Sequence, residues 1–445
     1  MTERNPLPKW RDFLSKNRDI EFVWLYFIPY HGLPLVRMFP VARFTEMLEW
    51  ETRPTIPSCI THLLLNDTLV SGADPTGVIY LKPDVWNIFC QTTAGSRKAV
   101  MMTSWFDEDG SPRDECPRSR LHTLGGELGQ MGWRPLVGFE VEVVFLEIDP
   151  NGDYNAAGKN HSWSTMTMED YTFLPMVEEI VRTLLQMDIE IQHFHAESGP
   201  GQWEFVLPPN NPVSAVDTLV IARKMIEVIA ARHNLRATLY PRLSNQYAGT
   251  ASHVHISVNP INQLQDGELD QRSDFFLAGV LAHLPAVLAF TLPQDISYAR
   301  VQTGVWSGGE YAAWGWQNRE TPLRRVERNR FEFKLLDGLA NPYIALAAIL
   351  AAGIDGIRSR TELTAWDCKR PPGLMCEEER KAVGVTTMLP KSINASLDCL
   401  VADRKLQEVL GSTMTKSYIE FKRGETAFLN AMAPQERFKF LVCRY

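Results

Sequence analysis

Apolar and polar positions alternate with the short period of β-strands over the first quarter of the chain. From about residue 20 to 105, EFVWLYFIP (21–29), PLVRMFP (34–40) and GVIYLKPD (77–84) read as short strands separated by HG and DP turn elements. Further on, strands and helices alternate. GFEVEVVFLEI (138–148) is a strand by its β-branched and aromatic content, and HVHISVN (253–259) and NRFEFKLLD (329–337) are two more. Phe173, Val177, Ile180, Val181 and Leu184 follow helical spacing, as do Val216, Leu219, Val220, Ile226, Ile229 and Ala230. NPYIALAAILAAGIDGI, from Asn341, is a helix whose alanines permit close packing, and the rest of the chain reads as helical. The polar, turn-rich segment DEDGSPRDECPRS (107–119) is the expected domain boundary. The expectation is a small β-rich domain at 1–110 and a large α+β domain at 111–445, without internal repeats.

Composition narrows the class. With 445 residues, 45% of them apolar and 22% charged, the chain has ample material for a core. A net charge of −8 supplies no basic field, so nucleic acid is an unexpected partner. Seven scattered cysteines, never paired as CxxC, argue against a disulfide framework and a structural zinc site. The polar N-terminus has no apolar signal core. The longest apolar stretch, Ile344–Ile354, is too short to span a bilayer. A cytoplasmic protein with no membrane partner is therefore expected.

Four elements carry candidate chemistry. Glu140 and Glu142 sit two apart on one strand, so both carboxylates share a face about 7 Å apart and repel unless solvated or bridged by cations. A wet sheet face is the alternative. In HAESGPGQWE, Glu197 and Glu204 flank a Gly/Pro/Gly turn, which an ordinary surface turn also accommodates. His253 and His255 face one way on a strand, able to share a metal or divide between metal and phosphate, or to be ordinary half-buried histidines. Last comes an arginine-rich run: Arg300, Arg319, Arg324, Arg325, Arg328 and Arg330, with Glu332 close behind. Such arginines clamp phosphate and carboxylate, or else form a solvated basic face; interleaved Trp314, Trp316 and Phe331 favour partial burial. Carboxylates with one imidazole suit Mg2+ or Mn2+, and the order of the four elements is more specific than any one of them.

These residues resemble the glutamine synthetase family. The resemblance rests on GFEVEVVF (138–145), HAESGPGQWEF (195–205), SHVHISV (252–258), SYAR (297–300), WGWQNRETPLR (314–324), RFEFKLLDGLANPYIALAAILAAG (330–353), LPKSINASLDCL (389–400) and SYIEFKRGE (417–425). Within the family it is most similar to the glutamine-synthetase-like branch related to the ligase half of the fungal protein FluG. The resemblance implies a small β-grasp-like N-terminal domain and a catalytic domain built on a curved antiparallel sheet flanked by helices. It implies ATP and two or three Mg2+ or Mn2+ ions per site. Glu142, Glu197 and Glu204 would hold one ion, and Glu140, His253 and Glu332 a second. His255 and Ser257 would lie near the nucleotide. Arg319, Arg324 and Arg330 would stabilise the transferring phosphoryl group, with Arg300 facing the carboxylate substrate. It also implies a homo-oligomeric ring with active sites between subunits.

Departures from the family pattern cluster on substrate contacts. The glycine-rich substrate loop, which usually begins with asparagine, reads Ala248–Gly249–Thr250–Ala251. Trp306 stands where the family has a flap glutamate that helps deprotonate ammonium, and Lys334 replaces an arginine that grips the substrate α-carboxylate. The family's adenylylation tyrosine has no counterpart at Thr387. The expectation is an ATP-dependent ligase joining glutamate or a related acid to an amine other than ammonia. An ammonia-using glutamine synthetase, a catalytically silent relative and a phosphagen-kinase-like phosphotransferase are the alternatives.

Overall fold

The computed structural model describes residues 5–93, 96–158, 174–244, 246–262 and 267–445, so Phe173 lies outside the described residues. The N-terminal part comprises α1 (Leu7–Lys16), β1 (Phe22–Phe27), β2 (Leu35–Pro40), α2 (Val41–Glu49), β3 (Thr55–Pro57), β4 (Val78–Pro83), β5 (Phe89–Thr93) and β6 (Ser96–Phe106). Its six strands form one sheet in the order β2–β1–β6–β4–β3, with β5 also on β6; β1 and β6 run parallel and the other pairs antiparallel. Strand alternation divides the side chains between two cores. Val23, Leu25, Ala99 and Met101 pack with Trp10 and Phe44 of the two helices. Tyr26, Ile28, Val100 and Met102 join the main core of the molecule.

After a loop, α3 (Pro117–Gln130) starts immediately past Cys116, whose thiol accepts from the Ser119 amide and caps the helix. Then follow β7 (Trp133–Ile148), β8 (Tyr154–Ala156), α4 (Leu174–Gln186), β9 (His193–Ala196), β10 (Gln202–Val206), α5 (Pro212–Arg232), β11 (Arg236–Thr238) and β12 (Val254–Pro260). Next come α6 (Glu268–Thr291), α7 (Asp295–Tyr298), β13 (Trp314–Trp316), β14 (Leu323–Glu327), β15 (Arg330–Phe333) and α8 (Pro342–Ser359). The chain finishes with α9 (Glu377–Ala382), α10 (Ile393–Ala402), α11 (Arg404–Leu410), α12 (Ser412–Asn430) and α13 (Pro434–Val442). The second sheet has nine strands in the order β13–β14–β15–β12–β7–β10–β9, with β8 and β11 also on β7. The anticipated α+β architecture with a mainly antiparallel catalytic sheet is present; β13 and β14, however, run parallel.

Strand β7 is the spine. Its Val141, Val143 and Phe145 enter the main core, while Val144 and Leu146, with the opposite parity, pack against Tyr240, Leu339 and the C-terminal helix. The strand anticipated over 329–337 is shorter, because pairing ends at Phe333 and Lys334 turns to bond Pro322. Helices α6 and α8 are both long and apolar enough to cross a membrane, yet about three-quarters buried, at 72% and 78%. They pack on each other through Gly279, Gly353 and Gly356: a methyl on Gly356 would sit 2.2 Å from the Phe275 carbonyl oxygen, so glycine rather than alanine sets the closest approach. His283 of α6 links Asp355 of α8 at 3.1 Å and Asp403, the cap of α11, at 2.6 Å. All seven cysteines are free thiols.

Candidate active site

The register of six strands builds the site row by row. Glu142 of β7 lies directly across from Glu204 of β10, which lies across from His195 of β9. His255 of β12 stands opposite Glu332 of β15, and Glu332 opposite Arg324 of β14. His253 precedes β12 and its carbonyl accepts from the Glu140 amide at 3.0 Å, drawing that ring to the β7 carboxylates.

The side chains converge accordingly. Both histidines reach one carboxylate, His253 Nδ1 at 3.0 Å from Glu140 Oε2 and His255 Nε2 at 3.0 Å from Glu140 Oε1. His253 Nδ1 is also 3.4 Å from both Glu142 and Glu332. Glu332 receives Arg324 Nη1 at 2.6 Å and Lys334 Nζ at 2.9 Å. Arg300, almost fully buried, donates to the Lys334 carbonyl at 3.1 Å and lies 3.5 Å from His253 Nε2. Gly249 permits this packing, since a Cβ there would meet Pro241 O at 2.5 Å and Arg300 Cβ at 2.8 Å.

Glu197 sits on the turn after β9, its Oε2 accepting from Ser198 N and its Oε1 3.9 Å from His195 Nδ1. Ser257 and Arg330 pair across β12 and β15, one row beyond His255 and Glu332 on the same face. Arg330 is engaged with Glu327 at 2.8 Å, however, and Arg319 is exposed. Of the sequence-selected arginines, then, Arg300 and Arg324 join the cluster through direct contacts. Arg325 and Arg328 instead pair with Asp274 and Asp270 on α6.

Electrostatics divide the carboxylates into two sets. Burial pushes Glu140 up, but hydrogen bonds from His253 and His255 outweigh it and hold it well below the usual range. Glu332 is likewise opposed by burial and drawn down to about 2 by Lys334 and His253. Burial and then the charges of Glu204 and Glu197 push Glu142 well up, and burial raises Glu204 against its His195 contact. Burial and the Lys334 charge lower His253 to about 4. Two acids held ionised beside two that resist ionisation is the signature of a site short of positive charge. The donors fit a hard divalent cation: ligand atoms of Glu140, His255 and Glu332 lie within 4.8 Å of one another, with Glu142 and Glu204 adjacent.

Some participants were not selected from sequence. Gln202 Nε2 donates to Glu142 Oε2 at 3.0 Å and to the Gly249 carbonyl at 3.2 Å, while the Ala251 amide donates to the same Oε2 at 2.8 Å. Period-two spacing from Glu204 places Gln202 on that strand face and is a signal for it. Glu320, buried, accepts from the amides of Gly304 and Trp306 at 2.9 and 2.7 Å. It thereby fastens the loop on which Trp306, in the left-handed region at φ 58, exposes 66% of its surface.

Comparison with known proteins agrees with this geometry. The profile of the glutamine synthetase catalytic domain matches residues 114–440. The chain belongs to the glutamine synthetase family. Members of that family are ATP-dependent ligases that use divalent metals and small-molecule substrates, and they are typically oligomeric. The chain is 44% identical over 439 residues to "Protein fluG" of Emericella nidulans, covering 97% of this chain and 50% of that protein, so it spans half the length of that relative. It is 28% identical to "Gamma-glutamylpolyamine synthetase GlnA3" of Streptomyces coelicolor, covering 93% of this chain and 91% of the relative. Among solved structures, the fold matches a GmaS/ADP complex with a TM-score of 0.82 at 23% identity, covering 97% of this chain and 99% of that one.

Proposed function

We propose that this member of the glutamine synthetase family is an ATP-dependent carboxylate–amine ligase that forms an amide through an acyl phosphate. Its acid is glutamate or a related carboxylate and its amine is not ammonia. The observation that carries the ligase reading is the convergence of Glu140, Glu142, Glu204, His253, His255 and Glu332 beside Arg300, Arg324 and Lys334. The substrate carboxylate oxygen attacks the γ-phosphorus and ADP departs; the amine nitrogen then attacks the acyl carbon, phosphate leaves and the nitrogen loses a proton. Arg324, with Arg319 and Arg330, offsets charge on the transferring phosphoryl group, and buried Arg300 with Lys334 orients the acid.

Mg2+ or Mn2+, two or three ions, would supply Lewis-acid charge neutralisation. Glu142, Glu197 and Glu204 would hold one ion, and Glu140 and Glu332 with His253 or His255 another. His255 and Ser257 border the nucleotide. Trp306 supports the choice of amine: an indole in place of a carboxylate removes the anionic partner of NH4+ and offers an apolar, cation-accepting face to a larger amine. The GlnA3 relative's name, a γ-glutamylpolyamine synthetase, points the same way. We assign residues 1–110 and 111–445 to the N-terminal and catalytic domains of a cytoplasmic homo-oligomeric ring with intersubunit sites.

The test is ADP release across a panel of acids and amines, with mass detection of products. The expected outcome is release that requires both substrates and an amide equal to their sum less water, with larger amines faster than ammonium. Equal rates with ammonium would restore the glutamine synthetase reading, and no acid- and amine-dependent release would leave a silent member of the family.

A further inference from the structure

The outer edge of the nine-stranded sheet carries a second convergence of ligand groups, two of which the ligase reading leaves unused. His193 and His195 stand two residues apart on edge strand β9 and so share one face, their rings stacked at 5.8 Å with 18° between planes. Glu204 lies directly across from His195, with Oε1 3.3 Å from Nε2. His195 Nδ1 is 3.1 Å from the Ala196 carbonyl oxygen. A carbonyl only accepts, so this contact places a proton on Nδ1 and leaves Nε2, the nitrogen that faces Glu204, to carry either a second proton or a metal ion. Without a metal, a second proton on Nε2 makes the contact a hydrogen bond to Glu204; a metal ion that displaces this proton takes the same place between nitrogen and oxygen. A backbone acceptor on the far ring nitrogen is also the usual support of a metal-binding histidine.

We propose that His193, His195 and Glu204 form a separate site for a borderline transition metal such as Zn2+, and that its occupation draws Glu204 away from the catalytic cluster. Ligand atoms of the three residues lie within 4.8 Å of one another, a spread that small side-chain rotations close to the roughly 3.4 Å between tetrahedral ligands each about 2.1 Å from one ion. Two imidazoles and one carboxylate favour Zn2+ or Co2+ over Mg2+, a preference weaker around Glu140, where the carboxylates of Glu140, Glu142 and Glu332 outnumber the imidazoles of His253 and His255. His193 is exposed, so the ion keeps open positions toward solvent. Because Glu204 also faces Glu142, an ion at the edge competes for a carboxylate that the catalytic set requires. Metal binding stands apart from the ligase reading; inhibition rests on it.

The probe is Co2+, titrated into the full chain with Mg2+ in large excess and followed by visible absorption. Cys376→Ser and Cys443→Ser remove the two exposed thiols. The expected result is absorption typical of histidine coordination, displaced by Zn2+. His193→Ala should weaken Co2+ binding by about tenfold or more. That variant should keep its Mg2+-dependent ADP release but become resistant to Zn2+ inhibition by a similar factor. Identical Co2+ titrations for His193→Ala and its parent would overturn the site, as would no Co2+ binding, which would leave a proton between His195 and Glu204. Zn2+ inhibition undiminished in His193→Ala would overturn the competition for Glu204. A chain that releases no ADP with any acid and amine would fail the ligase reading alone, since the Co2+ titration decides the site without it.

Discussion

Glu142 faces His253 with one oxygen, while its other oxygen accepts from Gln202 and Ala251. The two donors keep that carboxylate aimed into the cluster although burial and neighbouring acids resist its ionisation. Gln202→Leu keeps the bulk but removes one donor, so Mn2+ affinity should fall by about 10- to 100-fold with little change in fold, read by a binding titration and by circular dichroism. Trp306 invites the converse change. Its backbone is held by Glu320 independently of its side chain, so Trp306→Glu should leave the loop in place. The ratio of kcat/KM for ammonium over a bulky amine should then rise by about tenfold, a differential of ~1.4 kcal/mol; an unchanged ratio would remove the indole from amine selection. At this scale much was legible. Alternation placed Glu140 with Glu142 and His253 with His255, and both pairs share a face. Glu320 escaped because its role comes from amides on a neighbouring loop; period-two spacing puts Gln202 and His193 on the right faces, but what they meet across the strands is not encoded along one segment.

Among the elements, α4 was readable from its single apolar face and β7 from its β-branched and aromatic content. Helix α6 was not, because it is apolar around most of its circumference and buried among α8 and α10, so no 3.6-residue stripe survives. Helices α1, α2 and α3 were also missed: α1 and α2 are short, and Gly125, Gly126 and Gly129 weaken the helix signal of α3. Inside α6, His283 couples three helices and makes their packing pH-dependent. Burial lowers its proton affinity, but hydrogen bonds with Asp403 and Asp355 outweigh this and raise it above the ordinary 6.5. A folded-state value above the unfolded one means the contribution is fully present below pH 6.5 and fades as pH rises through the folded value. His283→Gln should therefore lower the melting temperature most in mildly acidic buffer and least in alkaline buffer. A gap that widened with rising pH would contradict the assignment.

For the whole molecule, the two sheets share one apolar core, in which Tyr26, Ile28, Val100 and Met102 meet Leu121, Leu124 and the β7 side chains. A boundary at residue 110 therefore divides the chain by sheet but not by core, and of the turn-rich segment 107–119 the first ten residues precede α3 and the last three begin it. The site's charge balance couples to the stability of this single core. Burial first, and then the charges of neighbouring acids (Glu204 and Glu197 on Glu142, Glu140 and Glu197 on Glu204), raise the proton affinities of Glu142 and Glu204 above the ordinary 4.5. Without metal, ionising them as pH climbs through and beyond that value costs folded-state stability, because the unfolded chain gives up the same protons more readily. A divalent ion must displace those protons where they remain bound and meets bare carboxylates where they do not. The melting-temperature gain from saturating Mg2+ should accordingly grow as pH rises above the ordinary carboxylate value of 4.5. Glu142→Gln should flatten that growth, because its amide neither titrates nor repels Glu204. A Mg2+ gain independent of pH in the unmodified chain would mean that the ion does not replace protons at these two carboxylates, and the pairing of Glu142 with Glu204 around one cation would have to be abandoned.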